Sequence, residues 1–362
     1  MDARTFLIAT DFLGAGNLGD DLMVAGFVEG LRRLGLAERV KVRALCSYDR
    51  ESQRKRFPEI EWLDGKDAEL RRREIAEAGA ILGVGGTPFQ VTSGEWLLEV
   101  LEQVVALKGE SPFLLVNIGS ESEVRRARDR VVALMRRMER ISTRDGDTLA
   151  LLEEFRGSEA RPELIAGADL ANISLPGLCA SHPALEQRPH ELGVILGCDT
   201  LGRADVKAVV DWVVSDKRPV AWITCEVRDI PEGEYRVYRR NRWRFAHALN
   251  WPWRPSVTLL RPDYHAGSMA DLLRPFAQCR TVLSSRYHGI LSAAWSGCRV
   301  AGIARSSKVK WLCEQLGVPA TEPPLDVAGM GRLQREARVV DRAILEKLGA
   351  LALRGMEGLG EW

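Results

Sequence analysis

Short apolar runs rich in β-branched residues alternate with longer amphipathic segments along nearly the whole chain, and few architectures accept that rhythm. In the first half, strand-like runs cover 5–10, 40–46, 80–84, 113–118 and 140–143, separated by helical periods over 20–34, 69–78, 95–107, 124–137 and 148–155. Short β-rich runs alternating with longer amphipathic ones are the rhythm of parallel βαβ units. A stretch over 174–189 with three prolines and no period interrupts the alternation. It resumes with strands over 192–197, 219–225, 257–260, 281–284 and 299–303 and helices over 203–214, 235–249, 268–277, 289–296 and 308–316. A chain of 362 residues accommodates two such domains. We therefore expect an α/β domain over 1–185, a second over 186–325, and a helical segment over 326–362 whose long amphipathic part, 332–353, crosses back onto the first domain. No fixed-period repeat or low-complexity tract competes with this reading.

Fifty-one basic against fifty acidic side chains leave a formal charge of +1, so no global field recruits nucleic acid, and any anion site has to be local. Nearly all the bases are arginine, which makes a lysine inside a motif conspicuous. The seven cysteines stand singly, most of them in apolar runs and without CxxC spacing, and read as reduced core residues. The apolar stretch at 6–9 is too short for a signal-peptide core, and the longest uncharged run, 78–94, carries five glycines and a proline. That run falls short of the roughly 20 apolar residues that span a bilayer. The expectation is a cytoplasmic protein without a transmembrane segment.

Four motifs carry chemistry. Gly14-Ala15-Gly16-Asn17-Leu18-Gly19-Asp20-Asp21 matches GxGxxG after a strand, yet its two aspartates would meet a pyrophosphate in the first helical turn, and the nearest later acid, Asp49, stands thirty residues past Gly19. A glycine turn in which Asp20 only caps a helix is the plain alternative. Gly83-Val84-Gly85-Gly86 follows a strand at the end where ligands of open α/β sheets bind, although a turn that merely redirects the chain needs the same residues. Ser142-Thr143-Arg144-Asp145 delivers an arginine to a strand end, with a surface ion pair as its plain counterpart.

The most specific motif is Ser284-Ser285-Arg286-Tyr287-His288-Gly289, which brings an anion-binding fork and a titratable imidazole together at a helix N-terminus. Lys308 opens a further helix twenty residues later. The segment 239–254, RRNRWRFAHALNWPWR, interleaves Trp243, Trp251 and Trp253 with arginines; it suits sugar rings or single-stranded nucleic acid, or is a helix with an aromatic core face and solvated arginines. HExxH, GxxxxGK[ST] and GxSxG are absent, and the other histidines, 182, 190, 247 and 265, lack metal-ligand spacing, so no metal or cofactor is implied.

Taken in order, GNLGDD at 16–21, GVGG at 83–86, TRD at 143–145, Gly167-Ala168-Asp169 and SRYHGILSAAWSG at 285–297, with Lys308 and Leu316-Gly317 beyond, resemble the polysaccharide pyruvyl transferase family over residues 5–320. Val84 interrupts the family's glycine run, Tyr287 stands where leucine is usual, and Thr148 where serine is expected. The resemblance implies two Rossmann-like domains facing a cleft, GT-B-like, and transfer of pyruvate from phosphoenolpyruvate to sugar hydroxyls as a ketal. It implies His288 as the proton-transfer group. Arg144, Arg286 and Lys308 would hold the donor, and Asn17, Gly19, Asp20, Gly85 and Gly86 the acceptor side. The acceptor would be a sugar, lipid-linked or nucleotide-linked, met at the inner membrane face. A GT-B glycosyltransferase using a nucleotide sugar is the alternative, against which the helix over 289–297 lacks the usual ribose-binding glutamate. A non-catalytic sugar-binding protein is the third.

Overall fold

The computed structural model describes residues 4–10, 12–92, 94–197, 201–216, 218–227, 233–247, 257–265 and 267–362. It contains two α/β units. The first comprises Met1–Ala15, Asp20–Ser174 and Glu346–Trp362, the second Gly16–Gly19 and Leu175–Leu345. In the first unit, β1 (Arg4–Ile8), β2 (Val40–Cys46), β3 (Glu61–Asp64), β4 (Ala80–Val84), β5 (Phe113–Ile118), β6 (Arg140–Thr143) and β7 (Glu163–Ala166) form a parallel sheet of order β3-β2-β1-β4-β5-β6-β7. The second unit repeats the plan with β8 (His190–Ile195), β9 (Val220–Ile223), β10 (Val257–Leu260), β11 (Cys279–Ser284), β12 (Arg299–Ile303) and β13 (Ala320–Thr321), ordered β10-β9-β8-β11-β12-β13. A short β14 (Arg338–Val339) runs antiparallel to β12.

Both sheets are buried where the sequence is uniformly apolar. Phe113, Leu115 and Ile118 of β5 pack with Leu98, Leu101 and Val131 of neighbouring helices. In the second unit Trp222 of β9 packs with Val237 and Phe245, its ring 5.5 Å from that of Phe245. Six described cysteines are free and buried; burial pushes the Cys179 thiol up to about 11 and those of Cys298 and Cys313 up to about 12, so they stay protonated.

The segment at 332–353 is broken where one long helix was expected. It divides into Val327–Glu336 and Arg342–Arg354, because Arg338 and Val339 pair with Val300 and Arg299 at the start of β12. The residues from Glu346 onward belong to the first unit. Asn117 at the end of β5 helps hold them there. It is fully buried with φ 52°, donates from Nδ2 to the carbonyls of Ala168 (2.7 Å) and Ala352 (2.9 Å), and accepts from Ser142 Oγ at Oδ1 (2.8 Å). Left-handed backbone suits asparagine better than most residues. Asn117→Ala removes three hydrogen bonds at a strained position and is expected to lower stability by about 2–4 kcal/mol, measured by denaturant unfolding.

Two histidines give the second unit an acid sensitivity. Burial, aided by the Arg188 charge, holds His182 below its ordinary value, and burial does the same for His190. The folded unit therefore binds fewer protons than the unfolded chain once pH falls below about 6.5. Their contribution is fully present above that pH and is lost as acidification proceeds through the depressed folded values. Thermal scans between neutral and mildly acidic pH should show the wild type losing more stability than a His182→Gln/His190→Gln variant.

Candidate functional site

In the second sheet the chain turns outward in opposite directions from β8 and β11, and the carboxyl ends of those strands form the switch point where open α/β sheets bind ligands. Ser285 joins the two ends. Its Oγ accepts from Gly197 N–H (2.8 Å) and donates to the Gly197 carbonyl (3.0 Å), while its own N–H reaches the Ile195 carbonyl (2.9 Å). Arg305, after β12, donates from Nε to the Ser285 carbonyl at 2.8 Å. The side chain of Arg286 lies directly over Gly197, where a Cβ would come within 2.3 Å of Nε.

Arg286 is held by two carboxylates that sequence reasoning missed. Its Nε donates to Glu234 Oε1 at 2.6 Å and an Nη to Glu226 Oε2 at 3.1 Å. The glutamate side chains are 0% and 3% exposed, the arginine 19%. Glu226 follows β9 and Glu234 opens the helix Glu234–His247, where its carbonyl accepts from Trp222 Nε1. Only the run of acids at 226–234 hinted at them, and nothing in it marks which acid meets an arginine fifty-two residues later. Beside them, burial and the Glu234 charge push the Cys225 thiol well up.

Two neighbouring helices begin at this edge without a side-chain cap. Tyr287–Trp295 starts from Arg286 and Ser307–Leu316 from Ser306, whose buried Oγ has no partner among the described residues. Elsewhere Asp49, Asp67, Asp145, Ser268 and Asp326 accept from first-turn amides, while Trp96–Leu107, Arg128–Met135 and Arg203–Ser215 also begin without a side-chain cap. Uncapped amides and the positive helix ends favour an anion. His288, half-buried, and Lys308 lie in those two first turns.

The GNLG segment meets this edge. Asn17 bridges antiparallel to Glu226, Leu18 N–H donates to the Cys225 carbonyl (2.9 Å), and Val227 N–H to the Gly16 carbonyl (2.8 Å). Asn17 and Gly19, expected on the first domain, are thus counted with the second unit because these backbone bonds dock them there. Asn17 Oδ1 accepts from Gly19 N–H at 2.9 Å. A Cβ on Gly16, at φ +73°, would strike Val227, and one on Gly19 would come within 2.2 Å of His288 Nδ1. The GxGxxG match therefore records chain packing and the seat of an imidazole. Asp49 accordingly caps its own helix through Ser52 N–H.

Asp20 lies half-exposed in the first turn of Leu18–Arg33 and is counted with the first unit. Asp21 is buried against Gln53 (2.8 Å) and Arg56 (2.7 Å); burial raises its carboxyl above the usual range although Arg56 opposes it.

In the first unit Gly85 and Gly86, at φ +64° and +74°, turn the chain after β4, where Cβ atoms would strike Met23 and Phe12. Gly85 is buried and donates to the Val116 carbonyl. Arg144, 3% exposed, lies against Gly119 between Asp145 (3.5 Å) and Asp169 (3.9 Å), and donates to Thr87 Oγ1 at 3.2 Å. Thr148 Oγ1 accepts from Ser120 N–H in the same turn. Arg286, His288 and Lys308 all belong to the second unit, as do Asn17 and Gly19; Arg144, Gly85, Gly86 and Asp20 are in the first.

The family model described as polysaccharide pyruvyl transferase matches residues 17–307. Among curated proteins none matches the sequence. Solved structures share the fold. A UDP-N-acetylglucosamine 2-epimerase described as putative, from Listeria monocytogenes, aligns with a TM-score of 0.61 at 12% identity over 99% of this chain and 96% of its own. The α,α-trehalose 6-phosphate synthase of Burkholderia multivorans gives 0.57 at 10% identity, covering 97% and 93%. A UDP-glucosyltransferase of Polygonum tinctorium gives 0.55 at 13% identity, covering 100% and 99%. The two units form a GT-B-like pair of Rossmann-like folds.

Proposed function

Because the chain belongs to the polysaccharide pyruvyl transferase family, we propose that it transfers the pyruvyl group of phosphoenolpyruvate to two hydroxyls of a sugar as a ketal, with release of phosphate. One observation carries the proposal. The helices that follow the paired parallel strands β11 and β12 both begin without a side-chain cap and carry Arg286, His288 and Lys308 at their starts. A ligand with a carboxylate and a phosphate suits two such amide clusters with cations beside them.

In this reading Lys308 supplies the point charge for the phosphate, and Arg286, its Nε and one Nη held by Glu234 and Glu226, meets the carboxylate with its other Nη. The enol methylene gains a proton as a sugar hydroxyl attacks the neighbouring carbon, and His288 moves that proton. The carbon–oxygen bond to phosphate then breaks and a second hydroxyl closes the ketal. Of the two hydroxyl protons, one is balanced by the new methyl hydrogen and the other leaves with phosphate. Asn17, Gly19 and Asp20 belong to the acceptor side, with Gly85 and Gly86 in the first unit. Arg144, buried between two aspartates, shapes its turn and serves as the first unit's donor-side cation. The acceptor is a sugar carried on a lipid or a nucleotide, and the reaction runs in the cytoplasm without a metal or cofactor.

Thermal unfolding with phosphoenolpyruvate, run beside common nucleotide sugars, tests the donor. A ligand at 100 times its dissociation constant adds about 2.7 kcal/mol. A rise with phosphoenolpyruvate that Lys308→Ala removes supports the reading. A rise with a nucleotide sugar alone overturns it and favours glycosyl transfer.

A further inference from the structure

The helix Glu234–His247 has two faces of unlike chemistry. Val237 and Phe245 are buried, and Tyr238 packs its ring 5.4 Å from Phe245, which fixes the inward face. At 100° per residue, Trp243 falls at the middle of the outward face, with Arg236, Arg239 and Arg240 one or two turns before it and Arg242 and Arg244 on its flanks. Trp243 is 67% exposed, the most exposed large apolar side chain among those described, and Arg239, Arg240, Arg242 and Arg244 are exposed as well. The helix has five arginines and one acid, Glu234, which is fully buried on Arg286. Arg242 stacks on the Trp243 ring at 5.2 Å, and Arg244 is paired with Asp211 on the neighbouring helix Arg203–Ser215.

We propose that this face docks the protein on an anionic phospholipid bilayer. The chain as a whole carries a formal charge of only +1, so the arginines are a local concentration of positive charge without a global field behind them. The charge complement is a negative surface. The tryptophan selects which kind, since a ring standing out of a ring of guanidinium groups enters the headgroup layer while the arginines remain at the phosphates. No helix among the described residues is long and apolar enough to cross a membrane, so the contact is interfacial. The proposal does not depend on the transfer reaction, and its test uses binding alone.

The probe is sedimentation of the whole protein with vesicles of phosphatidylcholine, with and without phosphatidylglycerol, at low and high salt. Binding is expected only with phosphatidylglycerol and is expected to weaken as salt rises. Each arginine removed should weaken binding roughly fivefold, so Arg239→Gln/Arg240→Gln/Arg242→Gln should lose roughly a hundredfold. Trp243→Ala should release the protein at lower salt. Circular dichroism and unchanged melting establish that these outward substitutions leave the fold intact. Absent binding, equal binding to neutral vesicles, or an unaffected triple variant overturns the proposal. So does a single-stranded oligonucleotide that binds more tightly than the vesicles, which would identify the face as a nucleic-acid surface.

Discussion

Arg286→Ala should lower the melting temperature and remove the response to phosphoenolpyruvate, and the two losses should be separable. Without the guanidinium, Glu226 and Glu234 are left as buried carboxylates with their cation gone. Removing one partner of a buried ion pair costs about 3–5 kcal/mol. For a domain of this size each kcal/mol moves the midpoint by about 2–4 °C, which gives a fall of roughly 6–20 °C. Adding Glu226→Gln and Glu234→Gln to the same variant removes the unbalanced charges and should recover much of that fall. It should not recover ligand binding. A single variant that melts with the wild type would show that the carboxylates do not depend on Arg286. A triple variant that still responds to phosphoenolpyruvate would remove Arg286 from the donor site.

His288→Ala should leave the melting temperature almost unchanged and cut pyruvyl transfer by roughly 10²–10⁴-fold, the usual range for a positioned general acid or base. The imidazole is half-buried and its ring stands edge-on to Tyr287 at 5.2 Å, so its removal opens little core. The loss should fall on kcat, with phosphoenolpyruvate affinity retained through Arg286, Lys308 and the helix amides. Steady-state phosphate release over a pH series is the measurement, and a variant whose rate stays within a few-fold of the wild type removes His288 from proton transfer. Gly19 offers an independent check. A valine there would occupy the space of the imidazole, and the same loss should follow with His288 still in the chain.

Strands were legible where short β-rich runs alternate with amphipathic segments, and β2, β4, β5, β6, β10 and β12 begin and end where the sequence pattern places them. What escaped was at the margins. β3 and β7 are four residues each on the outer edges of the first sheet; β7 lies between exposed ends, and β3 begins and ends on an acid. The helix Arg50–Arg56 is polar throughout, and Ala171–Leu178 contains Pro176, so neither carries an apolar period. At the candidate site the Arg-Tyr-His motif was readable because an arginine and a histidine stand two residues apart at the end of a strand. The acids opposite Arg286 were not, because spatial pairing across separate strand ends leaves no spacing rule. The glycine motif left its readings open for a related reason. Glycine marks close approach without saying whether a phosphate, a backbone or an imidazole approaches.

The return of Glu346–Trp362 to the first unit has a consequence for synthesis on the ribosome. Asn117 waits for the Ala352 carbonyl, Arg140 for that of Glu357, and Gly30 lies against Met356. The first unit to emerge is therefore completed last, after the whole of the second has been translated. Until then the surface around Gly30 and Asn117 is open to solvent and to chaperones, and a stalled or truncated nascent chain exposes it for good.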